Sequence, residues 1–113
     1  MADDWTFPYE GPLHDVAPEL HEAQVAWLES IQSLTSLDRR THELIRMVCL
    51  AIARNAEGVT RHAQFAAEAG ATWTDIVEAL ALSQPAFGVL PASAAIEPAR
   101  RGFERAEEAE ADE

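Results

Sequence analysis

The chain has 113 residues, 48% of them hydrophobic, and a formal charge of −12. That length suits one domain with one core, and so short a chain buries only about two thirds of its unfolded surface, so self-association would help it. The charge sits at the ends: the first 22 residues carry six acids and no Lys or Arg, and the last ten carry six acids and one arginine. A near-neutral body with acidic ends is the opposite of the basic footprint that nucleic acid or an anionic membrane requires, and the single cysteine, Cys49, cannot form an intrachain disulfide.

In chain order, residues 1–17 hold two of the six prolines, Pro8 and Pro12, together with Trp5, Phe7 and Tyr9. This arm is too irregular for a helix and too aromatic for a purely solvated tail, so it is expected to pack on something. It lacks the basic and apolar stretches of a secretory signal, and no window nears about 18 uninterrupted apolar residues, so a soluble, cytoplasmic protein is expected. Pro18 is an allowed first-turn residue for a helix running through Gln32, with Leu20, Val25, Trp27, Leu28 and Ile31 as its apolar side.

Asp38 is a good N-cap for the next helix. Leu44, Val48, Ala51 and Ile52 follow the helical template, and Ile45, Cys49 and Ala53 add a second apolar row, which predicts a central helix with Cys49 as a small core hydrophobe. Asn55 to Gly58 reads as its stop. A third helix is predicted over about 59–69, ending at Gly70. Thr72 with Asp75 three residues on marks the start of a fourth. Pro85, Gly88 and Pro91 then demand a break, and a last helix covers about 92–105, with Pro98 a weak point and an acidic end that frays. No segment alternates with period two, so the class is all-α, with a helical domain over 18–105 and an acidic tail over 106–113.

The sequence contains no Gly-rich phosphate loop, no nucleophile elbow and no zinc-binding His-Glu-x-x-His, and His14, His21, His42 and His62 lack a metal spacing, so no metal site and no cofactor are expected. Glu43 lies on the margin of an apolar face. Burial there would raise its pKa toward a value suited to proton transfer, whereas a first-turn acid paired with Arg39 or Arg46 is the plainer reading. His62 is set near a helix start, where the positive end of the dipole favours neutral imidazole; the plainer reading is an edge histidine bonded to backbone.

Residues 37–92, from LDRRTHELIR to FGVLPA, resemble the carboxymuconolactone decarboxylase-like family shared with alkylhydroperoxidase D-like proteins. The resemblance rests on the Leu-Asp start, Glu43, the polar turn, His62, the step ending at Gly70, the TDIVEAL helix and the FGVLPA segment, taken in that order and spacing. The redox branch of that family is similar in placing a glutamate nineteen residues, and a Cys-x-x-Cys ending four residues, before the histidine. Glu43 fits, but the two thiol positions are Asn55 and Gly58. Dithiol peroxide reduction therefore has no nucleophile and no resolving thiol.

The resemblance is to the cysteine-free branch, and it implies a helical bundle of about five helices assembled as a homo-oligomer: a hexamer built as a trimer of dimers, or a trimer. It also implies cofactor-independent decarboxylation or proton transfer on a small carboxylated or carbonyl compound, an organic acid above all. Glu43 and His62 are the catalytic candidates. Arg46, Arg54 and Arg61 are candidate carboxylate anchors, with Asn55 and Phe87 as further substrate-binding candidates. A non-catalytic oligomeric scaffold or ligand-binding module of the same fold is the alternative. In a simple hairpin turning near residue 57, Glu43 and His62 stand about fourteen residues before and about five after the turn, an offset of roughly 12 Å. Their meeting would then need a steep crossing, a bridging water or a neighbouring subunit.

Overall fold

A computed structural model describes residues 12–112 of the chain. Seven helices are present among them: α1 (Pro12–Val16), α2 (Pro18–Gln32), α3 (Arg39–Ile52), α4 (Ala56–Glu68), α5 (Trp73–Ala81), α6 (Gln84–Phe87) and α7 (Val89–Ala111). The five long ones are the five expected, and no strand is found among the described residues. Trp5, Phe7 and Tyr9 lie outside the described residues. No described helix is long and apolar enough to cross a membrane.

The chain divides into two compact units, Met1–Ser36 and Leu37–Glu113. In the first, α1 and α2 pack on each other, and the His14 and His21 rings meet edge-on with centroids 5.1 Å apart. Leu20 and Trp27, expected on the apolar side of α2, are exposed, while Val25, Leu28 and Ile31 are half-buried.

The second unit holds the core. Its helix starts are set by side chains that accept orphan backbone N–H groups. Asp38 accepts from Thr41 at 2.8 Å, and Asn55 from Gly58 at 2.9 Å. Thr72 and Asp75 close a reciprocal capping box. Two ends are closed by paired bonds running back into the helix. Gly70, with φ +105°, donates to Ala67 while Ala71 donates to Ala66. Arg54, with φ +61°, donates to Ala51 while Asn55 donates to Leu50. The left-handed residue ending α3 is thus Arg54, and Asn55 already caps α4, which starts three residues earlier than its apolar pattern suggests.

α4, rather than α3, is the central helix: it packs along both α3 and α7. α3 buries Glu43, Met47 and Ala51 and leaves Ile45, Cys49 and Ala53 exposed, so the expected second apolar row and a buried Cys49 are not found. Neighbours decide which of two apolar rows is covered.

α7 meets α4 through Ala95, Ala99, Gly102 and Ala106, all buried, and runs unbroken through Pro98 to Ala111, past the expected end at 105. Pro98 cannot donate to the Ala94 carbonyl, but Ala94 is exposed, so water can serve it. The Thr60 hydroxyl lies 2.9 Å from the Pro98 carbonyl oxygen and 3.1 Å from that of Ala56, sharing its one proton between them and tying α4 to α7 beside the proline. The expected break falls at Gly88, φ +86°.

Gly102 sets how closely these two helices approach. A Cβ there would overlap the Thr60 carbonyl oxygen and lie 2.9 Å from the Gln64 backbone nitrogen. Both are backbone atoms that cannot rotate aside. Gly102→Ala is therefore expected to lower stability by about 1 to 3 kcal/mol despite alanine's better helix propensity, read as a fall in the thermal midpoint.

Candidate active site

Glu43 lies a full turn in from Arg39, the first residue of α3, and its side chain is wholly buried. It is therefore not a first-turn acid, and the helix dipole, which acts within that turn, does not account for it. The carboxylate is held by side chains instead. His62 Nδ1 lies 2.7 Å from Oε1, and Oε2 accepts from Arg39 Nε at 3.1 Å and from Arg46 Nη1 at 3.3 Å. Both arginines come from α3 itself, at i−4 and i+3, while the histidine comes from α4.

The position of the turn explains how Glu43 and His62 meet. With Arg54 as the left-handed residue, they stand about eleven residues before and about eight after it, leaving an axial offset of roughly 4.5 Å. Two side chains span that distance, so the pair closes within one chain, without a bridging water or a second subunit.

Burial is the largest influence on the Glu43 carboxyl and pushes its pKa up. The His62 hydrogen bond, the charge of His62 and the Arg46 and Arg39 guanidiniums together outweigh burial, and the pKa ends below its ordinary value of 4.5. The upward shift that burial alone would give is not found, whereas the pairing with Arg39 and Arg46, the plainer reading, is: Glu43 is a carboxylate at neutral pH. As an acceptor it fixes the orientation of the imidazole: His62 donates from Nδ1, and Nε2 is the ring nitrogen left to exchange a proton with a ligand. His62 is 8% exposed and sits nearly two turns in from Ala56, too deep for the helix start to act on it. Its ring packs edge-on against Phe65 at 5.5 Å.

His62 also lines a cleft of about 500 Å³ between the first turns of α4 and the C-terminal half of α7. Leu50, Asn55, Glu57, Gly58 and Thr60 form part of its wall, and Arg61, Arg101 and Arg105 bring three guanidiniums to it. Of the sequence-derived candidates, Glu43 and His62 are brought into contact, and Asn55 and Arg61 join His62 in the cleft. Arg46 is turned to Glu43. Arg54 lines a second, smaller cavity of about 230 Å³ with Asn55, Val59 and Pro98. Phe87 is exposed at the end of α6 and lines neither.

Arg101 and Arg105 escaped the sequence reading although their i, i+4 spacing was visible, because nothing local says what α7 faces. Among the described residues no group of three or more His, Cys, Asp or Glu side chains is arranged to hold a metal ion.

An all-helical unit with a buried carboxylate–imidazole pair beside an arginine-lined cleft defines the class of protein. The family model described as the carboxymuconolactone decarboxylase family matches residues 18–101, and the chain belongs to that family. Comparison with curated proteins and with solved structures returns no match.

Because the Glu43 pKa is depressed on folding, its stabilising share is complete above the ordinary carboxylate value of 4.5 and drains away as pH falls through the lower folded-state value. Glu43→Gln is expected to flatten the acid limb of the stability–pH curve measured by urea unfolding. At neutral pH it should lose about 3 kcal/mol, the low end for breaking a buried pair, since Arg39 and Arg46 reach solvent. Asp38 and Asp75, whose pKa values are lowered mainly by their capping hydrogen bonds, supply the acid sensitivity that remains.

Proposed function

We propose that this chain is a cofactor-independent enzyme of the carboxymuconolactone decarboxylase family that removes CO2 from, or moves a proton on, a small carboxylated or carbonyl-bearing organic acid. The observation that carries the reading is the 2.7 Å contact between the buried Glu43 carboxylate and Nδ1 of a histidine that lines a cationic cleft. In this reading the carbon–carboxylate bond breaks and its electron pair passes into the conjugated carbonyl as an enolate. Protonated His62 then delivers the Nε2 proton to carbon and regains one from solvent. Glu43 is not the proton carrier, since its lowered pKa keeps it ionised; it orients the ring and stabilises the imidazolium. Arg61 stabilises negative charge developing on the substrate, and the Asn55 amide is a further donor at the rim.

The alternative, a scaffold or binding module that kept the fold, draws on the ion network around Glu43, which has a structural role whether or not chemistry occurs. The two readings part on activity. With 4-carboxymuconolactone and related acids as substrates, His62→Ala is expected to lower kcat by about 10² to 10⁴-fold, and Glu43→Gln to lower it at unchanged substrate affinity. Wild-type protein inert on every such acid would remove the decarboxylase assignment.

The same proposal includes a homo-oligomer, a hexamer or a trimer. Its support is the exposure of Leu82, Phe87, Val89 and Leu90, clustered in sequence around α6, since exposed apolar patches of this kind mark association surfaces. Sedimentation is expected to give a multiple of the 12.4 kDa chain mass, and Leu90→Glu to reduce it.

A further inference from the structure

The eight cationic residues of the chain are all arginine, set among 20 acids. Four are engaged: Arg39 and Arg46 with Glu43, Arg40 with Asp75 at 4.0 Å, and Arg100 with Glu97 at 3.7 Å and over the Trp73 ring at 4.7 Å. Arg61, Arg101 and Arg105 have no ion pair or hydrogen bond with any described residue, and all three line the His62 cleft.

In a protein this acidic, three guanidiniums left without carboxylates on one cleft are unexpected. Arg101 and Arg105 stand one turn apart on the same face of α7, where like charges repel and weaken the helix. Glu57 also lines the cleft, four residues before Arg61, yet no ion pair forms between them, and one carboxylate against three guanidiniums leaves the cleft cationic. Arg61 lies next to His62 on α4, whereas Arg101 and Arg105 approach from α7, held beside α4 by the close contact at Gly102. The cationic groups therefore come from two walls, with the imidazole on the α4 side.

We infer that Arg101 and Arg105 form an anion-recognition pair that binds the second acidic group of a dianionic ligand while the first faces Arg61 and His62. The inference rests on the cleft being the substrate site, but it concerns recognition alone and is testable without turnover. A guanidinium fork matches a carboxylate with two parallel hydrogen bonds, and two forks one turn apart select for a ligand with acid groups at both ends. The volume suits a molecule of that size.

The test uses the full chain with two unreactive probes, glutarate and butyrate, which share a carboxylate on a three-carbon chain and differ in the second carboxylate. Calorimetric titration is expected to show glutarate binding tighter by on the order of tenfold, with the difference shrinking as salt is raised. Both probes should move the His62 ring resonances in NMR spectra. In the Arg101→Gln/Arg105→Gln variant the preference for glutarate should vanish while butyrate affinity and the sedimentation mass stay as they were. Equal affinities for the two probes in wild type would overturn the inference. So would a preference that survives the double substitution, or a change of assembly in that variant, which would assign the guanidiniums to a second copy of the chain. His62→Gln separates this from the catalytic reading: it should abolish turnover and still bind glutarate in preference to butyrate.

Discussion

A carboxylate with no exposure to solvent is a demanding object inside so small a protein. Removing it from water costs several kcal/mol, comparable with the whole stability of a domain, and only close opposite charge and well-formed hydrogen bonds offset that cost. Glu43 has both, from an imidazole on α4 and two guanidiniums on its own helix. The contact with His62 reaches across two helices, so it sets the register of α3 against α4. That register in turn depends on the turn between them, where Arg54 takes a left-handed conformation and Asn55 opens the next helix without a wasted residue.

α4 then serves two neighbours. Toward α3 it presents His62; toward α7 it presents Thr60 and Ala63 against a seam of small residues that ends in Gly102 and Ala106. Close approach of backbones is the organising feature of that second contact, because no large side chain intervenes. The cleft lies where the two contacts diverge. Its wall on α4 inherits the placement of the imidazole, and its wall on α7 inherits the spacing fixed by Gly102.

Much of the fold was legible because its signals are local. Asp38, the Thr72–Asp75 pair and Gly70 act on backbone groups within three or four residues, and a sequence displays such relations directly. The five long helices followed from them. Burial was less legible: α3 carries apolar residues on more than one face, and only the position of α4 leaves Ile45 and Cys49 outside.

The candidate site was legible by half. Glu43 and His62 were visible as a pair through the family resemblance, but their contact hinged on whether Asn55 ended one helix or began the next, and asparagine suits both roles. The sequence left the direction of the Glu43 pKa open between burial and an arginine pair for a related reason. Burial was foreseen, while three donors converging on one carboxylate is a property of the assembled helices. Arg101 and Arg105 reach the cleft only because α7 lies against α4, which no pattern within α7 discloses.

One small feature bears on how such a protein can change its chemistry. Gly58 occupies the place of the second thiol in the redox relatives, and a Cβ there would stand 2.9 Å from both terminal methyls of Leu50. Asn55, at the first thiol's place, is the cap that holds the opening turn of α4. Converting this chain to a dithiol reductant is thus not a matter of exchanging two letters: the leucine must swing out of the cleft wall and the helix must find another way to begin. In this chain, then, the absence of the two thiols is tied to packing as well as to sulfur, through the Leu50 methyls against Gly58 and the Asn55 cap.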